Sequence, residues 1–360
     1  MSEEKQPKVL FIKGRPDAHP IHALYADAVK ADHIFEDFIL RWHDKPQSSH
    51  LRRYASWFFC AFNMPKSYDV YLAECVRFPV VISRKIGIIS RKQKIITIVD
   101  DESLYYIYSN QYPKTTIQAM KWYLKNNDGL ICIGEFQTWL AKEILKDECP
   151  PLVTAFNGIK KNRLEKLQKN KFNPMSRNIL HISNFGMNFR LHYKGLDLMV
   201  KAFDEARKIL PDIKFYIIGQ NDEDAIRYLL DLVSEETRHH IIFTGRVENI
   251  ESYFQDAALY LHTARGEAFG ISILEAMAAS VPVLISEVTG VREIVKRVAP
   301  SFVVPLDVEH ISKQIVEYFT LNVGEKVELS QRSKSIASLY SEDYAKESFL
   351  EAFQQVTNQR

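Results

Sequence analysis

Short apolar runs closed by turn residues recur along the chain. KVLFIK, from Lys8, ends at Gly14 and Pro16, and VYLAEC (70–75), KIITIVD (94–100), GLICIG (129–134) and PLVTAFNGI (151–159) repeat the pattern. Runs this short with no polar face predict strands covered on both sides, and the intervals between them are long enough for crossover helices. Strand alternating with helix predicts a doubly wound parallel sheet. A second series follows: ILHIS (179–183), KFYIIG (214–219), HIIFTG (240–245), AALYLHT (257–263) and VPVLIS (281–286), with FVVP (302–305) as a last edge. Between them KGLDLMVKAFDEARKIL (194–210) places apolar residues 196, 199, 200, 203 and 206 at helical spacing, and SEDYAKESFLEAFQQV (341–356) predicts a terminal helix capped by Ser341.

A chain of 360 residues exceeds the roughly 250–300 at which one hydrophobic core stops growing, so two domains are expected. The turn dipeptide Asn157-Gly158 is followed by the polar, basic stretch KKNRLEKLQKNKFNPMSRN, which reads as a linker. The predicted organisation is an N-terminal domain at 1–160, a linker at 161–177, a C-terminal domain at 178–338 and a closing helix at 339–360.

The formal net charge of +2 is unevenly spread: 41–94 holds eleven Lys and Arg against Asp44, Asp69 and Glu74. Such an excess fits either a solvated face or an anionic partner. Within it, SSHLRRYASWFFCAFNMP places Leu51, Ala55, Phe58, Phe59 and Phe62 on one helical face. That stripe reads first as core, with an interfacial helix on anionic lipid as the alternative. The four cysteines form no C-x-x-C pair, which implies neither a zinc site nor a disulfide framework. The N-terminus lacks a signal-peptide pattern and no run reaches about 18 apolar residues, so a cytoplasmic protein is expected, peripheral on a membrane at most.

The segment ARGEAFGISILEAMAASVPVLIS (264–286) carries the most chemistry. Gly266 and Gly270 bracket a loop after a strand, and ISILEAMAA is rich in helix formers. A helix N-terminus in that position binds phosphate through amides near Phe269, Gly270 and Ile271. Glu275 falls early in this otherwise apolar helix and needs hydrogen-bond donors, either the hydroxyls of a ligand or a lysine or backbone group of the protein.

The segment resembles glycosyltransferase family 4 at Glu267, Phe269, Gly270, Glu275, Ala276, Met277, Ala278, Pro282 and Val283. The resemblance implies the α/β GT-B plan: two Rossmann-like doubly wound domains facing a cleft, with a C-terminal helix crossing back to the N-terminal domain. It implies transfer of a hexose or related sugar, with retention, from a UDP- or GDP-linked donor to a hydroxyl of a glycan, lipid-linked or small-molecule acceptor, with no further cofactor. By the same resemblance Glu267 faces the transferred sugar, Glu275 holds ribose hydroxyls, Lys194 binds the diphosphate, and the loop with Arg246 and Val247 reads the base. Gly14 would let the N-terminal backbone approach the donor, with His19 nearby as a polar alternative.

Two positions depart from the family pattern. The diphosphate arginine that usually follows the first C-terminal strand is missing, and Arg190 or the helix amides stand in for it. Where many members carry His-Asp after the strand IITIV, this chain has Asp100 and Asp101, whose carboxylates still accept from sugar hydroxyls. No histidine lies close to them in sequence, so no metal is expected. A nucleotide-sugar epimerase and a catalytically silent nucleotide-sugar binder are the rival readings; nucleic acid is not an expected partner.

Overall fold

A computed structural model describes residues 7–14, 20–40, 50–100, 102–187 and 189–358. The chain divides into two compact units, Met1–Asn157 with Glu342–Arg360, and Gly158–Ser341.

The first unit carries β1 (Lys8–Lys13), β2 (Ile34–Ile39), β3 (Val70–Glu74), β4 (Lys94–Val99), β5 (Gly129–Ile133) and β6 (Leu152–Ala155). All pair in parallel in the order β2-β1-β3-β4-β5-β6. The interior strands β3 and β5 are buried along their whole length, as uninterrupted apolar runs require when helices cover both faces. β2, IFEDFI, is absent from the sequence reading. It is an edge strand with only half-buried and exposed positions, so its composition shows no core pattern.

The second unit carries β7 (Asn178–Ile182), β8 (Lys214–Ile218), β9 (Ile241–Gly245), β10 (Ala257–His262), β11 (Val283–Ser286) and β12 (Val303–Val304), in the parallel order β12-β11-β10-β7-β8-β9. The helix expected over 194–210 runs Leu196–Arg207 and buries Leu196, Met199, Val200, Phe203 and Ala206, the face its spacing predicts.

One boundary is corrected. The stretch 161–177 is not a linker. Its helix Lys161–Leu167 buries Leu164 and Leu167 within the second unit, and Asn170 donates to the Ala279 carbonyl at 2.7 Å. The polar composition that suggested a linker belongs to the outer face of that helix and to the loop after it. The last helix, Glu342–Asn358, belongs to the first unit. There Phe349 stacks on Tyr25 with ring centroids 4.2 Å apart, Ser348 accepts from the Phe156 amide, and Lys94 donates to the Thr357 carbonyl.

Candidate functional site

In an open parallel sheet, ligands bind beyond the carboxyl ends of the strands where the strand order reverses. In the second unit that point lies between β7 and β10. Lys194 and Glu267 meet there: Nζ of Lys194 lies 2.5 Å from Oε2 of Glu267, and both side chains are largely buried. Gly195 makes the approach possible. It is left-handed (φ 72°), and a Cβ on it would lie 2.0 Å from the Thr263 carbonyl oxygen, so only glycine lets this turn press against the end of β10. The loop bearing Glu267 is buttressed by the amide of Gly290, which donates to the Glu267 carbonyl at 2.9 Å.

His262, the last residue of β10, places Nε2 3.2 Å from the same Glu267 oxygen. Burial would raise the Glu267 carboxyl, but the Lys194 charge and the His262 bond outweigh it and hold this group far below the usual carboxylate range. For His262 burial wins over Glu267 and pushes the imidazole below its ordinary value. An ionised Glu267 beside a neutral His262 requires the proton on Nε2, which makes Nδ1 an acceptor. Nδ1 of His262 and Oγ1 of Thr263 are buried with no hydrogen-bond partner among the described residues.

Behind this pair the helix Ile271–Ala278 starts at Gly270, left-handed at φ 94°, where a Cβ would meet Ile273 at 2.7 Å. Phe269 is buried, and Ile271 and Ser272 are half-buried in the first turn. A helix start whose first amides have no preceding turn to bond, next to a lysine, suits an anion.

Glu275 has a protein partner that sequence did not supply. Nε of Arg163 lies 3.0 Å from its Oε1 and a terminal nitrogen 3.4 Å from its Oε2, while the other terminal nitrogen binds Glu251. The donor is therefore an arginine from the stretch first read as linker, rather than a lysine or backbone group.

Arg190 is exposed on the short helix Phe189–Tyr193. Arg265 is engaged elsewhere, gripping Asp197 with both terminal nitrogens at 2.6 and 2.7 Å. After β9, Arg246 is exposed and Val247 half-buried.

The first unit has its own cluster at the corresponding reversal, between β1 and β3. Asp100 follows β4, Glu74 ends β3, and His22 comes from the helix Pro20–Lys30. The imidazole bridges the two acids: Nδ1 bonds Glu74, and Nε2 lies 2.5 Å from Oδ2 of Asp100. Arg77 and the amide of Gly14 each reach Oε2 of Glu74 at 3.3 Å, and the Cys75 thiol donates to Oδ1 of Asp100 at 3.3 Å. Burial alone would lower His22, but the bonds and charges of Asp100 and Glu74 carry it up to about 9. Burial would raise Glu74, but His22, Arg77 and the Gly14 amide bring it down to about 2. Gly14 thus spends its amide inside the protein. Asp101 and His19 lie outside the described residues.

His22 was not singled out in sequence, because it stands 52 residues from Glu74 and 78 from Asp100 and only the fold joins them. The reasoning against a metal rested on no histidine lying near the acids in sequence. In space His22, Cys75 and Asp100 offer three ligand atoms within 4.8 Å of one another, and among the described residues this is the group that could hold an ion.

The aromatic stripe is not core. Phe58, Phe59 and Phe62 are 50%, 69% and 61% exposed, and the helix His50–Phe62 is held instead by buried Ala61 and by Trp57 stacking on Phe78 at 4.4 Å. The side chains of Leu51, Arg52 and Arg53, and all of 41–49, lie outside the described residues. No described helix is long and apolar enough to cross a membrane.

Residues 176–320, which hold the Lys194–Glu267 pair and the helix start, match the family model for group 1 glycosyl transferases. Over these residues the chain is similar to that family. The chain is 26% identical over 131 residues to the GtfA subunit of a UDP-N-acetylglucosamine–peptide N-acetylglucosaminyltransferase from Streptococcus pneumoniae, covering 36% of this chain and 26% of that protein. It is 28% identical over 117 residues to phosphatidyl-myo-inositol mannosyltransferase from Mycobacterium tuberculosis, covering 32% of this chain and 30% of the relative. The match thus spans about a quarter to a third of these relatives. Over its whole length the chain shares the fold of Anabaena HepE, solved in complex with UDP and glucose, with a TM-score of 0.67 at 14% identity, covering 97% of this chain and 100% of that one. The chain has the GT-B fold, with both six-stranded sheets parallel.

Proposed function

We propose that the protein is a glycosyltransferase that moves a sugar from a nucleoside-diphosphate sugar to a hydroxyl acceptor with retention of configuration. The observation that carries this reading is the Lys194–Glu267 pair at the carboxyl end of β10, set beside the start of the helix Ile271–Ala278. A cation and a helix start together stabilise the charge that develops on a departing diphosphate, and they do so without reorganising during the reaction. Glu267 keeps Lys194 in place until the diphosphate arrives, and its own carboxylate then accepts from hydroxyls of the transferred sugar. Glu275 serves the ribose hydroxyls. Oxygen of the leaving diphosphate takes the acceptor proton on the face it departs from, so no covalent enzyme intermediate is invoked.

UDP and GDP remain alternative bases. The Streptococcus relative is named for a UDP-sugar and the HepE structure holds UDP, whereas the Mycobacterium relative is named as a mannosyltransferase. The decisive experiment is a panel of UDP- and GDP-sugars with glycan and lipid-linked acceptors, read by mass and by the anomeric configuration of the product. Transfer with retention supports the reading. An epimerised donor without acceptor, or binding of nucleotide sugar with no turnover on any acceptor, replaces it.

The exposed Phe58, Phe59 and Phe62, with Lys85, Arg91 and Lys92 exposed in the same basic stretch, favour a lipid-linked acceptor at an anionic membrane. Contiguous exposed aromatics with basic neighbours are what an interfacial helix presents to headgroups.

A further inference from the structure

The cluster in the first unit is more than the aspartate that sequence assigned. Asp100 has one oxygen 2.5 Å from the His22 imidazole and the other accepting from the Cys75 thiol, and its side chain is 12% exposed. Opposite Asp100, the His22 ring is fixed by Glu74, which is itself held by Arg77 and the Gly14 amide. Asp100 is thus one end of a chain of charges running Arg77, Glu74, His22, Asp100. With the imidazole protonated, the four charges balance. Cys75, at the turn where Glu74 leaves β3, adopts a left-handed backbone (φ 56°) unusual for a residue with a side chain. Local strain of that kind, of order 1–3 kcal/mol, persists where the surroundings enforce it.

We propose that His22 is a positioning residue for the transfer reaction: it orients the Asp100 carboxylate so that its remaining lone pairs accept a hydrogen bond from a hydroxyl of the sugar substrate. This rests on the transferase reading above. A carboxylate has about four acceptor sites, and His22 and Cys75 occupy two of those on Asp100, so a substrate hydroxyl can be received without displacing either. A charged His22 imidazole also offsets the repulsion between the Glu74 and Asp100 carboxylates on either side of it. Among the described residues the groups facing His22 include Glu74 on β3, Cys75 after it, Asp100 after β4 and Tyr25 on its own helix, whose ring lies 6.3 Å away; Arg77 acts through Glu74.

The test uses the full chain and follows release of UDP from UDP-glucose and of GDP from GDP-mannose without acceptor, alongside calorimetric affinity for UDP and GDP and thermal melts. His22→Gln keeps a donor near the Nε2 position toward Asp100, whereas His22→Asn keeps only one near Nδ1 toward Glu74. Loss of orientation at the reacting sugar costs about 100-fold, so His22→Asn should lower nucleotide release by that order. His22→Gln should retain distinctly more, and both should bind the free nucleotide within about twofold of wild type, since Lys194 and the helix start are untouched. If both variants match wild type per folded molecule, or lose turnover only in proportion to lost folding, the role given to His22 is overturned while the transferase reading stands. If wild type neither binds nor releases either nucleotide, the transferase reading falls and the inference falls with it.

Discussion

Arg163 grips Glu275 through two nitrogens and Glu251 through the third, so the carboxylate assigned to the ribose already has a cation of the protein beside it. A hydroxyl pair arriving at Glu275 must share or displace that guanidinium. Glu275→Gln should therefore weaken UDP or GDP binding at least about tenfold, the scale of a lost charge-assisted hydrogen bond. Arg163→Ala should leave binding undiminished while lowering the melting temperature by a few degrees, about 1 kcal/mol for a half-exposed pair. Calorimetry and melts on the two variants check this. Equal losses of binding would make Arg163 itself a nucleotide contact.

Lys194 and Glu267 are each buried beside the other, so removing the lysine alone strands an ionised carboxylate with one bond from His262. Lys194→Met is expected to abolish transfer and also to cost about 3 kcal/mol of stability, as broken buried pairs do. Glu267→Gln should lower turnover with free-nucleotide affinity nearly kept. Adding Glu267→Gln to Lys194→Met should raise the melting temperature above that of Lys194→Met without restoring turnover. A double variant no more stable than the lysine variant would mean that the pair is not what makes Lys194 structurally important.

His22 and Glu74 give the stability of the first unit a pH dependence of defined sign. His22 is raised from 6.5 to about 9, so its contribution is full below pH 6.5 and is lost as pH rises through about 9. Glu74 is lowered from 4.5 to about 2, so its contribution is full above pH 4.5 and is lost as pH falls through about 2. The melting temperature should be highest between about pH 4.5 and 6.5, with the alkaline decline flattened in His22→Gln. Scanning calorimetry from pH 3 to 10 reads both limbs. An unchanged alkaline limb in the variant would count against a charged His22.

Transfer should survive EDTA, because Lys194 and the helix start supply the counter-charge that a divalent ion supplies elsewhere. Loss of activity restored by manganese or magnesium, and abolished in Cys75→Ser, would place an ion at His22, Cys75 and Asp100.

Anionic liposomes should float the protein at low salt and neutral ones should not. Phe58→Ser combined with Phe59→Ser should remove the portion that persists at about 0.5 M salt, where screening leaves mainly apolar insertion. Indifference of wild type to anionic liposomes at low salt would favour a soluble acceptor.

Much of the frame was legible because buried parallel strands are written as unbroken apolar runs, and the motif from Glu267 to Val283 fixes a loop and a helix together. The missed parts share a physical reason. β2 has no covered face to mark it in the sequence. Arg163 sits in a stretch whose outward polarity hid two inward leucines. His22 acquires meaning only when three elements bring its two acids to it. Periodicity found the stripe of phenylalanines but could not say which side of the helix had neighbours, and there the expectation of core failed.

Residues 158–341 form their unit from one continuous length of chain, whereas the first unit takes its helix Glu342–Asn358 from beyond that length. As the polypeptide leaves the ribosome, the second unit is complete while the first still lacks the partner on which Tyr25 stacks. Domains commonly finish in the order they are made. Here the order of completion is inverted: residues 1–157 keep an uncovered apolar surface throughout the synthesis of 158–341, and are sealed only when the helix Glu342–Asn358 follows.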